Sequence, residues 1–145
     1  MAVKWMAAAI MVALGCTPRA GPEVDAGSGS PPELGSSMNV RVVADTVVLE
    51  IHVTNVADSP VSLEFTSAQR YDFEVASASG VVVWRWSAAR SFAQMLGSED
   101  LQAGESRRYM ATWHGEGHEG DFVATGWVVS SNYPVELRTG FRLPE

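Results

Sequence analysis

The sequence predicts an all-β fold, an antiparallel immunoglobulin-like β-sandwich of seven or eight strands with one short helix in a loop. Hydrophobic and polar residues alternate from Met38 onward, which is the pattern of half-buried strands. Turn sequences such as Asp58-Ser59-Pro60 and Ala103-Gly104 separate the alternating runs. The composition, 46% hydrophobic and 19% charged, is typical of a globular domain. We therefore expect a single sandwich domain over residues 38–145.

The alternating runs define the candidate strands. In the best of them, Leu49, Ile51 and Val53 face one side of the strand while Glu50 and His52 face the other. The full set is 38–44, 46–55, 61–65, 71–75, 81–86, 107–113, 121–129 and 135–143. Many short strands of this kind favour two packed antiparallel sheets.

One segment, residues 87–100, breaks the alternation. Its Ser87 is a suitable N-cap and its Gly97 a suitable stop, so the pattern predicts a short helix from about Ala88 to Leu96. Phe92, Met95 and Leu96 would share one face of that helix and close an end of the sandwich.

Residues 1–15 predict a lipoprotein signal peptide. Lys4 precedes an apolar run of ten residues, 5–14, which is too short to span a membrane. The run ends in Ala-Leu-Gly-Cys, which resembles the lipobox of bacterial lipoproteins, so Cys16 is the expected lipidation site. Thr17 stands where an Asp often retains lipoproteins at the inner membrane, which favours the outer membrane of the cell envelope. The alternative is an ordinary secretion signal followed by a cysteine without a role.

Residues 16–37 are predicted to be the lipidated cysteine and a disordered linker. The stretch 17–37 carries four Pro, four Gly and no aromatic residue. Such a segment buries too little apolar surface to offset the entropy of ordering. The expected architecture is a domain tethered to a membrane.

Composition and motifs argue against several function classes. The net charge is -7 and the basic residues are scattered, so we expect no nucleic-acid partner. The single cysteine excludes an intramolecular disulfide. The sequence contains no GxSxG, HExxH, glycine-rich phosphate loop or CxxC motif, so we expect neither an enzyme nor a cofactor.

The stretch 114–119 is the one place with metal-ligating residue types close together. His114, Glu116, His118 and Glu119 crowd this loop, and imidazole with carboxylate suits zinc. The interleaved glycines leave the ligands poorly preorganised, which favours a polar hairpin connection. His114 and His118 stay as weak metal candidates.

An ordered set of spaced residues resembles the BsuPI family of intracellular proteinase inhibitors over 48–129. The matching features are Thr54-Asn55, Phe65, Gln69-Arg70-Tyr71-Asp72-Phe73, Trp84, Trp86-Ser87, Phe92, Gly104-Glu105-Ser106, Trp113, Gly120 and Phe122. The resemblance implies an immunoglobulin-like sandwich and, for the family's namesake, inhibition of a serine protease. Two features depart from the family, the predicted export signal and the His-rich loop 113–121. A cytoplasmic protease is therefore not the expected target.

The family-motif residues have two interpretations. The favoured one is structural, with the aromatic side chains as core, because each buried aromatic removes ~150–250 Å² from water. Arg70 and Asp72, which flank Tyr71, could form a charge-assisted pair or hold a loop at the end of a sheet. The alternative is a surface that contacts a protease. The motif residues concerned are Arg70, Tyr71, Asp72, Phe73, Trp84, Trp86, Phe92 and Trp113.

Two functions are open at this point, a membrane-tethered serine-protease inhibitor and an envelope module that binds another envelope protein. An inhibitor would present a rigid, extended loop. One candidate is 130–136, where Tyr133 precedes the rigid Pro134, although the tyrosine could instead fold back over the sandwich. The other is 87–100, with Arg90 or Met95 exposed.

Overall fold

The computed structural model describes residues 33–145, which form nine β-strands and one four-residue 3-10 helix, Trp86–Ala89. The strands are β1 Leu34–Val43, β2 Thr46–Asn55, β3 Val61–Phe65, β4 Tyr71–Ser77, β5 Val82–Arg85, β6 Gly97–Leu101, β7 Ser106–His114, β8 Gly120–Val128 and β9 Val135–Leu143. Their orders are β1-β2-β7, β3-β6 and β5-β4-β8-β9, and the strand pairs are antiparallel. The predicted all-β sandwich is confirmed.

The core lies between the sheet containing β2 and the sheet containing β4 and β8. Alternate residues of β2, from Val47 to Val53, are fully buried, as their period of two requires. Gly126 in β8 faces β2 so closely that an added Cβ would lie 2.7 Å from Ile51 Cδ1 and 3.0 Å from Phe73 Cε1. The two sheets therefore meet without a side chain at that position.

Two strands differ from the sequence-based expectation. β1 begins at Leu34, inside the stretch assigned to the linker, because residues 34–37 continue the antiparallel register with β2 as far as Asn55. β6 was not predicted, since its sequence Gly-Ser-Glu-Asp-Leu has no alternating apolar residues. Pairing with β3 makes it a strand.

The predicted helix from Ala88 to Leu96 is wrong. Helical structure stops at Ala89, and Arg90 is already extended, with φ -126° and ψ 149°. The carbonyl of Ala93 accepts a hydrogen bond from the amide of Ala68, at 2.9 Å, instead of a bond within a helix. A nine-residue helix is marginal on its own, so these tertiary contacts decide the conformation.

The predicted signal peptide, the lipidation site Cys16 and the linker up to residue 32 lie outside the described residues. Within 33–145, no helix is long and apolar enough to cross a membrane.

Candidate partner-binding loop

Residues 90–96, here called the 90–96 loop, connect the 3-10 helix to β6 without regular structure. Its side chains reach far into solvent: Met95 is 60% exposed and Leu96 is 82% exposed. Leu96 has the highest exposure among the large apolar side chains of the described residues. Two adjacent apolar side chains therefore project from one loop.

The entrance of the loop is held by Asp72, a β4 residue that is only 3% exposed. One carboxylate oxygen, Oδ2, accepts hydrogen bonds from Ser87 Oγ at 2.6 Å and Arg85 Nε at 2.9 Å. The other, Oδ1, accepts from the amides of Ser87 at 3.1 Å and Phe73 at 2.9 Å. A buried carboxylate is stable only with partners of this kind, so Asp72 fixes Ser87 in place.

An aromatic stack supports the residues that follow Ser87. The Tyr71 and Trp86 rings are stacked with centroids 4.4 Å apart, and Phe92 lies 5.7 Å from Trp86. The guanidinium carbon of Arg90 lies 4.3 Å from the centre of the Trp86 ring, and Arg90 Nε donates to the Trp86 carbonyl at 3.2 Å. Burial raises the pKa of Tyr71, and the charge of Arg90 opposes that rise. Arg90 is therefore held against the stack.

The middle of the loop is fixed through its backbone. The Ala93 carbonyl accepts from the amide of Ala68, which precedes β4, and also from the amide of Met95 at 3.0 Å. This pair of bonds bends the chain at Gln94 and turns the Met95 and Leu96 side chains outward.

The exit of the loop is held by Arg70. Its guanidinium passes over Gly97 so closely that a Cβ there would lie 2.6 Å from Nη2, and its Nε lies 3.2 Å from Glu99 Oε1. The guanidinium carbon is 4.4 Å from the centre of the Phe65 ring. Glu99 also accepts a hydrogen bond from Tyr109 Oη at 2.8 Å, and the pKa of Tyr109 is raised, first by burial and then by Glu99.

The segment 68–72 therefore braces the 90–96 loop at its entrance, its middle and its exit. Of the two roles that the sequence left open for Arg70 and Asp72, the structure shows the holding of a loop at the end of a sheet. The two do not pair with each other in the structure, since Asp72 binds Arg85 and Arg70 binds Glu99. The sequence did not point to Ala68 or Glu99, and Gly97 was expected to end a helix rather than to lie beneath Arg70.

The other predicted loop, residues 130–136, ends at Pro134 because β9 begins at Val135, and its side chains bond back to the domain. Asn132 Oδ1 accepts from the Glu64 amide at 2.9 Å, and Asn132 Nδ2 donates to the Ser62 carbonyl at 2.8 Å. Tyr133 is half-buried against the core and donates its hydroxyl to Glu33, which raises its pKa. Pro134 is exposed. Asn132 was not a candidate, although Asn side chains commonly cap backbone groups in turns.

The tryptophans divide into two groups. Trp113 is 4% exposed and lies in the core, as predicted. Trp84 and Trp86 were also expected in the core but are only half-buried, because they pack on the core from its edge. Together with Arg90 and Met110 they line an open groove of about 650 Å³ beside the 90–96 loop. The groove makes these two rings accessible to a partner.

The metal candidates are not gathered into a site. The His118 ring packs on Trp113, with centroids 5.3 Å apart, and His114 Nδ1 lies 3.5 Å from Thr46 Oγ1. Residues 33–145 contain no group of three or more His, Cys, Asp or Glu that could hold a metal ion.

The protein is thus an all-β domain with an exposed loop, residues 90–96, that is held in place by residues outside the loop. The family model for BsuPI, the intracellular proteinase inhibitors, matches residues 34–133. The chain belongs to this family, and the family suggests an inhibitor-like role. No curated protein matches the chain.

Solved structures with a similar fold are distant. A putative ApaA protein from Bordetella pertussis is 19% identical, with a TM-score of 0.42, over 77% of this chain and 92% of that one. β-Glucosidase 3B from Thermotoga neapolitana in complex with glucose is 13% identical, with a TM-score of 0.44, over 77% of this chain and 16% of that one. A penta-heme cytochrome c552 from Thermochromatium tepidum is 11% identical, with a TM-score of 0.45, over 77% and 40%. This chain thus spans only a small part of the glucosidase.

Proposed function

We propose that the domain is a non-catalytic proteinase inhibitor that binds a serine protease through the 90–96 loop. The observation that carries the proposal is the bracing of an exposed loop by residues outside it, in a chain that belongs to an inhibitor family. A loop that is already ordered loses little conformational entropy on binding, so its contacts convert into affinity. Hydrogen bonds and stacking supply the rigidity here, since a single cysteine cannot form an intramolecular disulfide.

The experiment is a titration of a subtilisin-like and a trypsin-like protease with the purified protein. The proposal expects activity to fall in proportion to added protein until one equivalent abolishes it. If neither protease loses activity, or if the protein is digested, the domain is not an inhibitor of these classes.

A second candidate function is an interaction module for another envelope protein. β5 is an edge strand of its sheet, and the preceding Val81 and its own Val82 are 62% and 51% exposed. An edge strand with exposed valines can accept a strand from a partner. This function predicts binding without any change in protease activity.

We further propose that Cys16 carries lipid and tethers the domain to the bacterial cell envelope, at the outer membrane. The proposal rests on the apolar run and the lipobox-like sequence that ends in the only cysteine. Acyl chains contribute ~0.8 kcal/mol per buried methylene, so several chains would make a stable anchor. Cys16→Ser should move the protein from the membrane fraction to the soluble fraction, and unchanged partitioning would contradict the assignment.

A further inference from the structure

We infer that Leu96 is the side chain that enters the primary specificity pocket of the protease, and that this pocket is therefore apolar. The inference rests on the proposed function and adds to it one residue and one class of target. It follows from the exposure of Leu96 and from the contacts that fix the chain on both sides of it.

The backbone of the loop is fixed near its centre. The Ala93 carbonyl accepts two hydrogen bonds, one from the amide of Ala68 and one from the amide of Met95. Met95 and Leu96 therefore follow a point of the chain that is already ordered, which reduces the conformational entropy lost on binding.

The exposure of the side chains singles out Leu96 within the loop. Leu96 is 82% exposed, so an apolar pocket could remove nearly all of its surface from water. Removing an exposed Leu side chain from water in an apolar pocket is favourable enough for Leu96 to act as a binding hot spot. A pocket with a carboxylate at its base would leave that charge unpaired against Leu96, so proteases that select basic residues are disfavoured.

The residue after Leu96 limits how far the loop can move. Gly97 pairs with Phe65 in the β3–β6 ladder and lies beneath the Arg70 guanidinium. The chain that follows Leu96 is therefore fixed. Leu96 is the last residue of the loop before this ordered strand. Because the chain after Leu96 is fixed, we expect the protease to bind the loop intact rather than to cleave it.

The test compares inhibition constants of the purified protein and its variants against a subtilisin-like protease with an apolar pocket. Leu96→Asp should weaken inhibition by ~100-fold, because an unpaired charge would enter the pocket. Val43→Asp is the matched control, since Val43 is 59% exposed but lies at the β1–β2 hairpin beside Thr46, and it should leave the constant unchanged. Leu96→Lys should weaken inhibition of the subtilisin-like enzyme and produce inhibition of a trypsin-like enzyme.

Both Leu96 variants should have the same melting temperature as the parent protein, because the Leu96 side chain makes little contact in the free protein. If the parent inhibits and the Leu96 variants inhibit equally well, the inference is wrong while the proposed function stands. If the parent protein inhibits neither enzyme, both the proposed function and the inference about Leu96 are wrong.

Discussion

The two exposed connections considered as partner sites are stabilised in opposite ways. The 130–134 loop uses its own side chains, since Asn132 bonds to the β3 backbone and Tyr133 packs on the core. The 90–96 loop is held mainly from outside, by Asp72, Arg70 and the amide of Ala68. A loop that is held from outside keeps its own side chains free for a partner. This difference is the reason for assigning the protease contact to the 90–96 loop.

The same difference separates stability from binding. Substitutions inside the 130–134 loop should lower the free energy of unfolding and leave partner binding unchanged. Substitutions in the brace should lower both, and substitutions at the exposed residues of the 90–96 loop should affect binding alone.

The largest effect is expected for Asp72→Ala. Removing the Asp72 carboxylate would leave buried donors of Ser87 and Phe73 without an acceptor and would break the ion pair with Arg85. The free energy of unfolding should fall by ~3 kcal/mol. Glu74→Ala is the matched control, because Glu74 contacts the same arginine at 3.4 Å but does not touch Ser87. It should cost less than ~1 kcal/mol. Urea denaturation measures the free energy of unfolding of both variants. If the two variants lose equal stability, Asp72 contributes only through its pair with Arg85 and not by holding the loop entrance.

A smaller effect is expected for Asn132→Ala. It removes two hydrogen bonds to the β3 backbone, which should cost ~1–2 kcal/mol in thermal or urea unfolding. Asn132→Asp keeps the acceptor for the Glu64 amide and loses the donor to the Ser62 carbonyl, so its loss should be intermediate. Inhibition should be unchanged in both variants. A weakened inhibition constant at full folding would move the partner site to this loop.

The smallest effect at neutral pH is expected for Tyr109→Phe, at ~1 kcal/mol for the hydrogen bond to Glu99. The pKa of Tyr109 is raised in the folded state, so above pH ~10 the unfolded chain releases this proton while the folded chain retains it. The stabilisation is therefore complete below pH ~10 and is lost as the pH rises further. The Phe variant should lose less stability than the parent between pH 10 and 11.5 in urea unfolding. Parallel curves for the two proteins would contradict this assignment.

Much of the fold could be predicted because alternation reports burial directly. β2, β7 and β8 carry the clearest pattern, and their apolar residues form the core. β6 and the extended 90–96 loop could not be predicted in this way. Their conformation depends on partners distant in sequence, β3 for the strand and Ala68 for the loop, which no local propensity encodes.

The candidate site shows the same division. The sequence left two roles open for Arg70 and Asp72, a pair with each other or the holding of a loop, and in the structure each pairs with another residue. Which loop they hold was left open, and so were their partners Glu99 and Ser87. For Tyr133 the sequence left open a partner contact or a side chain folded back over the sandwich, and in the structure Glu33 and the core engage it.

The central claim, that the 90–96 loop is held in one conformation before any partner binds, is tested most directly by backbone ¹⁵N NMR relaxation of the free protein. The account predicts order parameters near ~0.85 for residues 91–96, as in the neighbouring strands, and a fall in the Asp72→Ala variant. Values below ~0.6 in the parent would show a flexible loop and contradict the account.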